Sequence, residues 1–422
     1  MKAYRVLTSQ KSSRAIMITC WLVYMVAYLT RNTYAASIVH LTGQGLLTPS
    51  LAGLISTCYF ISYGTGHMIN GFLADRIKPV TMLCIGIVGT AVCNVLMPVV
   101  TPAVPAMAAV WLANGYFESM LWAPIVVLLS GRIAPEMRYR AMATIAYSRP
   151  TGQILAYLFT AACSYFGIGI KAPYVIAAFC AVATCVLLVM VSHSAFSAKD
   201  TVEVEPTVHK TPEAKRSDSV LRLLLSSGAV IFLLPVVFHG MLKDGVATWV
   251  PTLLRDSFGA DETLSTLLAI ILPLTGLLGV SFANFLLGRR LLKGNHAVIG
   301  IIIMLLTAVP VSLLLNTRAL PLMIAVACLC AVSLLMESFN QVFSTLMPTC
   351  FASKGRAATV SGIVNSLIYG GSAVSIYAFG AIAEYVGWNV ATLIWLGLAL
   401  ASAAVLAFAI KPWQEFLKKT TQ

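Results

Sequence analysis

The sequence predicts an all-α membrane protein: twelve transmembrane helices forming two six-helix bundles around a central cavity. Three observations carry that expectation. The 422 residues are 59% hydrophobic and only 10% charged, with mean hydropathy +0.87, whereas a water-soluble chain is about half apolar and about a quarter charged. Twelve apolar runs are long enough to cross a bilayer, which takes roughly 20 apolar residues per helix. The two halves of the chain also repeat each other. So few charges cannot cover a water-facing surface, which argues against a soluble enzyme, a disordered scaffold or a nucleic-acid binder.

The apolar runs fall at about 15–39, 50–74, 79–100, 104–131, 141–166, 170–192, 220–251, 263–288, 297–316, 319–349, 357–384 and 388–410. The first follows basic residues and imitates a secretory signal. It is too long for a signal core, is interrupted by Arg31 and is followed by many similar runs, so it reads as an uncleaved first helix. The one long polar stretch, Ser194 to Ser219, separates six runs from six. The expected organisation is therefore a bundle over 1–193, a linker over 194–219 and a second bundle over 220–422. Ten cysteines lie in or beside apolar runs and form no CxxC pair, so they read as small buried thiols, and neither metal nor cofactor is expected.

Orientation follows from Lys and Arg. The side of the membrane holding both tails and the central linker collects 22 of the 28 cations, and the other side only Lys171, Arg255 and Arg318. Both termini and the linker are expected in the cytoplasm, with a bacterial inner membrane as the setting. The net charge of +13 is thereby explained by topology, and the expected partners are the lipid bilayer and a small anion, not nucleic acid. A monomer is expected.

The repeat is visible in four ordered matches. Arg31 matches Lys243 at offset 212, Glu118-Ser119 matches Glu337-Ser338 at 219, GFLADR from Gly71 matches NFLLGR from Asn284 at 213, and Arg140-Ala141 matches Arg356-Ala357 at 216. Near-constant offsets indicate duplication of a six-helix unit.

Six ionisable residues fall near the middles of runs: Arg31, Glu118, Arg149, Lys243, Asp244 and Glu337, joined by His67 and His239. A charge at mid-bilayer costs at least a few kcal/mol, so it faces a polar cavity or a partner. Pairing of Arg31 or Arg149 with Glu118 is one reading, and a ligand-binding cavity is the other. Helical spacing puts Tyr24, Tyr28 and Arg31 on one face, as it does Tyr59, Tyr63 and His67. It does the same for Asn114, Glu118 and Trp122, and for Arg149, Gln153 and Tyr157. In the second half the shared faces are His239 with Lys243, Glu337 with Gln341, and Asn365, Tyr369 and Ser372. Three fixed cations suit an anion, and the planar fork of arginine suits phosphate.

These residues resemble the major facilitator superfamily, and within it the organophosphate:inorganic phosphate antiporters such as the glycerol-3-phosphate and hexose-phosphate exchangers. The resemblance covers essentially the whole chain and is carried by YMVAYLTRNTYA from Tyr24, FISYGTGHMINGFLADRIKP from Phe60, NGYFESMLWAP from Asn114, LKDGVATWVPTLL from Leu242 and GGSAVSIYAFGAIAEYVGW from Gly370. It implies that Arg31 is the phosphate-binding arginine, with Tyr24, Tyr28 and Tyr63 beside it. Lys243 stands where the family has the arginine completing a phosphate clamp, Arg149 where the glycerol-3-phosphate exchanger has a histidine, and Glu118 where it has glutamine. The resemblance also implies alternating access, with Asp75 and Arg76 in a cytoplasmic gating loop whose second copy has Gly288 in place of the aspartate.

The expected function is thus secondary transport of a small phosphorylated metabolite in exchange for inorganic phosphate. The expected substrate contacts are Arg31, Lys243, Arg149, Tyr24, Tyr28, Tyr63, His67, Glu118, Trp122, His239, Glu337 and Tyr369. Proton-coupled symport of a carboxylate through Glu118 or Glu337 is an alternative, and so is a transporter-like sugar-phosphate sensor. An enzyme is not expected, because no nucleophile–base pair or metal cluster stands out, and no nucleotide-binding P-loop is present. The charge distribution yields a direct test of topology: a cysteine placed at Ser217 is expected to react with a membrane-impermeant thiol reagent only after cells are opened, and labelling in intact cells reverses the orientation.

Overall fold

The computed structural model describes residues 4–74, 77–197, 201–204, 220–289, 295–315, 320–354 and 356–421. The chain forms two compact units, residues 1–47 with 58–209 and residues 48–57 with 210–422. Among the described residues, ten helical stretches are long and apolar enough to span a membrane. The helix Pro49–Ala74 and the pair Pro135–Ile145 and Ser148–Tyr165 stand where the second and fifth runs were expected. The first is diluted by Ser, Thr, Gly and Tyr, and the second is split into pieces of 11 and 18 residues, the longer of which carries Arg149 and Gln153.

The first unit opens with strand β1 (Tyr4–Leu7), followed by α1 (Gln10–Gly43), α2 (Pro49–Ala74), α3 (Pro79–Val100), α4 (Val104–Ser119), α5 (Trp122–Val127), α6 (Pro135–Ile145), α7 (Ser148–Tyr165) and α8 (Ala172–Ser197). Strand β2 (Thr201–Val204) then pairs antiparallel with β1, Tyr4 opposite Val204 and Leu7 opposite Thr201. The polar stretch expected to be linker from Ser194 is therefore partly ordered, since α8 runs to Ser197 and β2 follows. Helix α1 packs on α7 and α8, and α3 on α4 and α8. Ile16, Val23, Ile87, Ile125, Leu129 and Leu188 form part of the core between them. The opposite face of α3 exposes Ile85, Val88, Val92, Val95 and Val99, an apolar stripe suited to lipid.

In the first unit two apolar runs break into separate helices, each just before a proline. α4 stops at Ser119, the amides of Met120 and Leu121 turn back to the carbonyls of Phe117 and Glu118, and α5 resumes at Trp122. Pro124 has no N–H to offer the carbonyl of Met120, which removes the bond that would continue the helix. The break between α6 and α7 lies likewise four residues before Pro150, and Arg149 sits in the first turn of α7.

The second unit holds α9 (Val220–Ser226), α10 (Leu233–Gly240), α11 (Val246–Phe258), α12 (Glu262–Ala269), α13 (Ile271–Leu287), α14 (His296–Leu313), α15 (Leu322–Asn340), α16 (Ala357–Tyr385) and α17 (Trp388–Thr421). A π-helical turn, Met241–Gly245, joins α10 to α11, and another, Gln341–Leu346, follows α15. Helix α16 packs on α10, α13 on α15, and α14 on α15 and α17.

Glycines permit the closest crossings. A Cβ on Gly152 of α7 would lie 2.1 Å from the Met25 carbonyl oxygen of α1, and one on Gly371 of α16 would lie 2.2 Å from that of Val237 on α10. These are corresponding crossings in the two repeats. Gly370, next in sequence to Gly371, faces open space. Gly371→Ala is therefore expected to lower stability by about 1–3 kcal/mol through overpacking, read as a lower melting temperature in detergent. Gly370→Ala is expected to leave it unchanged or slightly raised, because alanine is the better helix former.

Candidate substrate site

The first unit gathers its polar intramembrane side chains around Arg31. The guanidinium carbon lies 5.5 Å from the Tyr28 ring centroid, 5.0 Å from Tyr59, 4.7 Å from Phe60 and 4.9 Å from Tyr63. Helix α1 supplies Tyr28 and Arg31 one turn apart, and α2 supplies the other three rings. Aromatic faces attract a cation through their ring quadrupoles without carrying a formal charge. Arg149 of α7 reaches the same Tyr28 ring at 5.4 Å, so two guanidinium groups share one aromatic side chain. Tyr24 packs edge-on against Tyr28 at 5.2 Å and tilts against Trp122 at 4.9 Å. His67 meets Tyr63 edge-on at 4.4 Å.

Glu118 stands behind this cage. It is 4% exposed and accepts hydrogen bonds from the Tyr59 hydroxyl, from Thr30 Oγ1 at 3.2 Å and from Asn114 Nδ2 at 3.1 Å. Arg31 is among the charges that act on it. Its position at the end of α4, one residue before the break, lets it meet helices α1 and α2 together. Three converging donors hold the carboxylate in place, and through Tyr59 it orients one wall of the arginine cage.

In the second unit, Lys243 lies in the π-helical turn and donates to Asp244 Oδ1 at 2.8 Å, the two side chains being 13% and 16% exposed. The second carboxylate oxygen of Asp244 accepts from Ser372 Oγ of α16 at 2.7 Å. His239 is fully buried and stacks on Phe339 with ring centroids 4.8 Å apart. Glu337 lays its methylene stem along α13, where a Cβ on Gly276 would lie 3.2 Å from its Cγ. Tyr369 is half-buried on α16, three residues before Ser372. Asp75 and Arg76 lie outside the described residues.

Most of the expected first-unit residues thus converge: Arg31, Tyr28 and Tyr63 directly, Arg149 through Tyr28, Glu118 through Tyr59, and Tyr24 with Trp122 through Tyr28. In the second unit Lys243 is paired with the neighbouring Asp244. Phe60, in ring contact with Arg31, was not anticipated, because it is off the face that Tyr59, Tyr63 and His67 share. Among the described residues no group of three or more His, Cys, Asp or Glu side chains converges as a metal site. Glu118→Gln is expected to reach the membrane at near wild-type levels. Glu118→Ala strips acceptors from the buried Tyr59 and Asn114, at about 1–3 kcal/mol for each donor left unsatisfied, and is expected to melt several degrees lower in detergent.

Comparison with known proteins adds family and fold. The family model described as Major Facilitator Superfamily matches residues 20–376. The glycerol-3-phosphate transporter of Bacillus subtilis (strain 168) is 25% identical over 391 residues, covering 89% of this chain and 87% of that protein. The phosphoglycerate transporter protein of Salmonella typhimurium is 24% identical over 395 residues, covering 88% and 83%. The membrane sensor protein UhpC of Salmonella typhimurium is 34% identical over 105 residues, and that match spans only 24% of the sensor's length and 25% of this chain. Among solved structures, the D-xylose-proton symporter superposes with a TM-score of 0.73 at 15% identity, covering 93% of this chain and 97% of that one. The nucleoside transporter NupG superposes with a TM-score of 0.70 at 14% identity, covering 95% and 100%.

Proposed function

The chain belongs to the Major Facilitator Superfamily, and on that premise we propose that this multi-pass membrane protein is a secondary transporter of a small phosphorylated organic anion. We further propose that it works by alternating access, with inorganic phosphate as a counter-substrate, in a bacterial inner membrane with both termini in the cytoplasm. The observation that carries the reading is the arginine cage. Arg31 is fixed among Tyr28, Tyr59, Phe60 and Tyr63, and Arg149 lies across the same Tyr28 ring. Two guanidinium groups in a dry aromatic setting suit the three oxygens of a phosphoryl group, because each planar fork can give paired hydrogen bonds. The glycerol-3-phosphate and phosphoglycerate transporters that match over most of the chain support this substrate class.

The remaining proposed roles follow from chemistry. Tyr24, Tyr28, Tyr63, His67 and Trp122 shape the walls around Arg31, and Lys243 is a further cation for the substrate. His239, Glu337 and Tyr369 act on substrate selection, and Asp75 and Arg76 act in gating. A sensor is the second reading, favoured by the match to UhpC, and it is separable because a sensor binds ligand without moving it.

Counterflow in proteoliposomes, screened over phosphorylated and carboxylated metabolites, tests the proposal. Robust counterflow of a phosphorylated substrate is expected, and binding without flux replaces the transporter by the sensor. Arg31→Ala and Lys243→Ala are each expected to abolish exchange. Arg31→Lys is expected to fail as well, since a point ammonium lacks the fork, while Lys243→Arg is the best tolerated. Wild-type exchange by Arg31→Ala overturns the phosphate-centred reading.

A further inference from the structure

The six ionisable residues inside the apolar runs are formally balanced, three positive and three negative. Their placement sharpens that equality. Lys243 is engaged by a carboxylate of its own unit, Asp244, at 2.8 Å. Both residues lie in the π-helical turn Met241–Gly245, and the Ser372 hydroxyl donates to the other carboxylate oxygen of Asp244. In the first unit, Glu118 is held by three donors, one of them the hydroxyl of Tyr59, whose ring also faces Arg31. Lys243 is thus bonded to a carboxylate, and Arg31 shares Tyr59 with one, before any anion arrives.

This bears on how the transporter cycles. A carrier whose unloaded site holds uncompensated charge must carry that charge through a low-dielectric conformational change, which slows the empty protein and enforces exchange. A carrier whose site charges are already matched has no such penalty. Glu118 is buried and fixed. Asp244 is partly exposed, with one oxygen on the lysine and the other on the Ser372 hydroxyl, so it is the more accessible of the two carboxylates to an arriving anion.

We propose that Asp244 is a resident counter-anion for Lys243, which lets the unloaded transporter change conformation and so permits net flux without a counter-substrate. This rests on the transport reading above, with exchange against phosphate remaining one mode of the same cycle. Asp244 is a positioning residue in this scheme: it acts through the lysine, and its signature is the balance between net flux and exchange.

The test uses the full-length protein in liposomes loaded with labelled inorganic phosphate, with efflux followed into buffer containing or lacking phosphate. For the wild type, the two rates are expected to agree within about threefold. In Asp244→Asn the uncompensated lysine is expected to lower the ratio of phosphate-free efflux to exchange by at least about tenfold, with tighter phosphate binding, while Asp244→Glu restores the ratio. Wild-type efflux that needs external phosphate by about a hundredfold overturns the inference without any variant, and so does an unchanged ratio in folded Asp244→Asn. Phosphate efflux that is independent of external phosphate, without organophosphate exchange, supports the inference and overturns only the substrate class. Absence of all phosphate flux overturns both.

Discussion

The constraint on which the first unit depends is the placement of a permanently charged guanidinium where water is scarce. Arginine does not shed its proton inside a protein, so Arg31 must be stabilised as a cation. Four aromatic faces and the nearby Glu118 carboxylate meet that requirement. Glu118 then needs its own donors, which Tyr59, Thr30 and Asn114 provide. One charge in α1 thus has its surroundings in α2 and α4, and Tyr59 and Tyr63, which face it, are among the residues that weaken the apolar character of α2.

Local backbone irregularity is where this chain concentrates its chemistry. Glu118 precedes the break before Pro124, Arg149 follows the break before Pro150, and Lys243 with Asp244 occupy a π-helical turn. Such interruptions free side chains from the regular helical raster and are frequent at functional sites. The glycine crossings do the complementary work. Gly152 on α7 and Gly371 on α16 let backbones approach so closely that these broken helices are still held by dense packing.

Composition and periodicity made the apolar runs, the repeat and the shared faces within single helices readable before any coordinates, because hydropathy and helical spacing are both local properties of sequence; that Tyr28, Arg31, Tyr63, Arg149 and Glu118 belong to one site was implied by the family resemblance. What stayed hidden was non-local or depended on departures from the ideal helix. The pairing of β1 with β2 joins four residues at the start of the chain to four near residue 200, and nothing in either tetrapeptide announces the other. Phe60 lies off the face chosen by Tyr59, Tyr63 and His67, yet Arg31 is long enough to reach it. The bond between Lys243 and Asp244 was not read because spacing rules place neighbouring residues on different faces, whereas long side chains can bend to meet, as Arg255 and Asp256 also do.

The two units hold their cations by different physics, and the difference has a chemical consequence. Arg31 is surrounded by ring faces, which attract it but cannot take its place as an anion's partner. Lys243 is a compact ammonium on a flexible stem bonded to the Asp244 carboxylate, so the cation of the second unit is held by opposite charge where that of the first is faced by rings. The planar fork of a guanidinium and the single point of an ammonium are not interchangeable, so replacing Arg31 by lysine keeps the charge and loses the paired hydrogen-bond geometry.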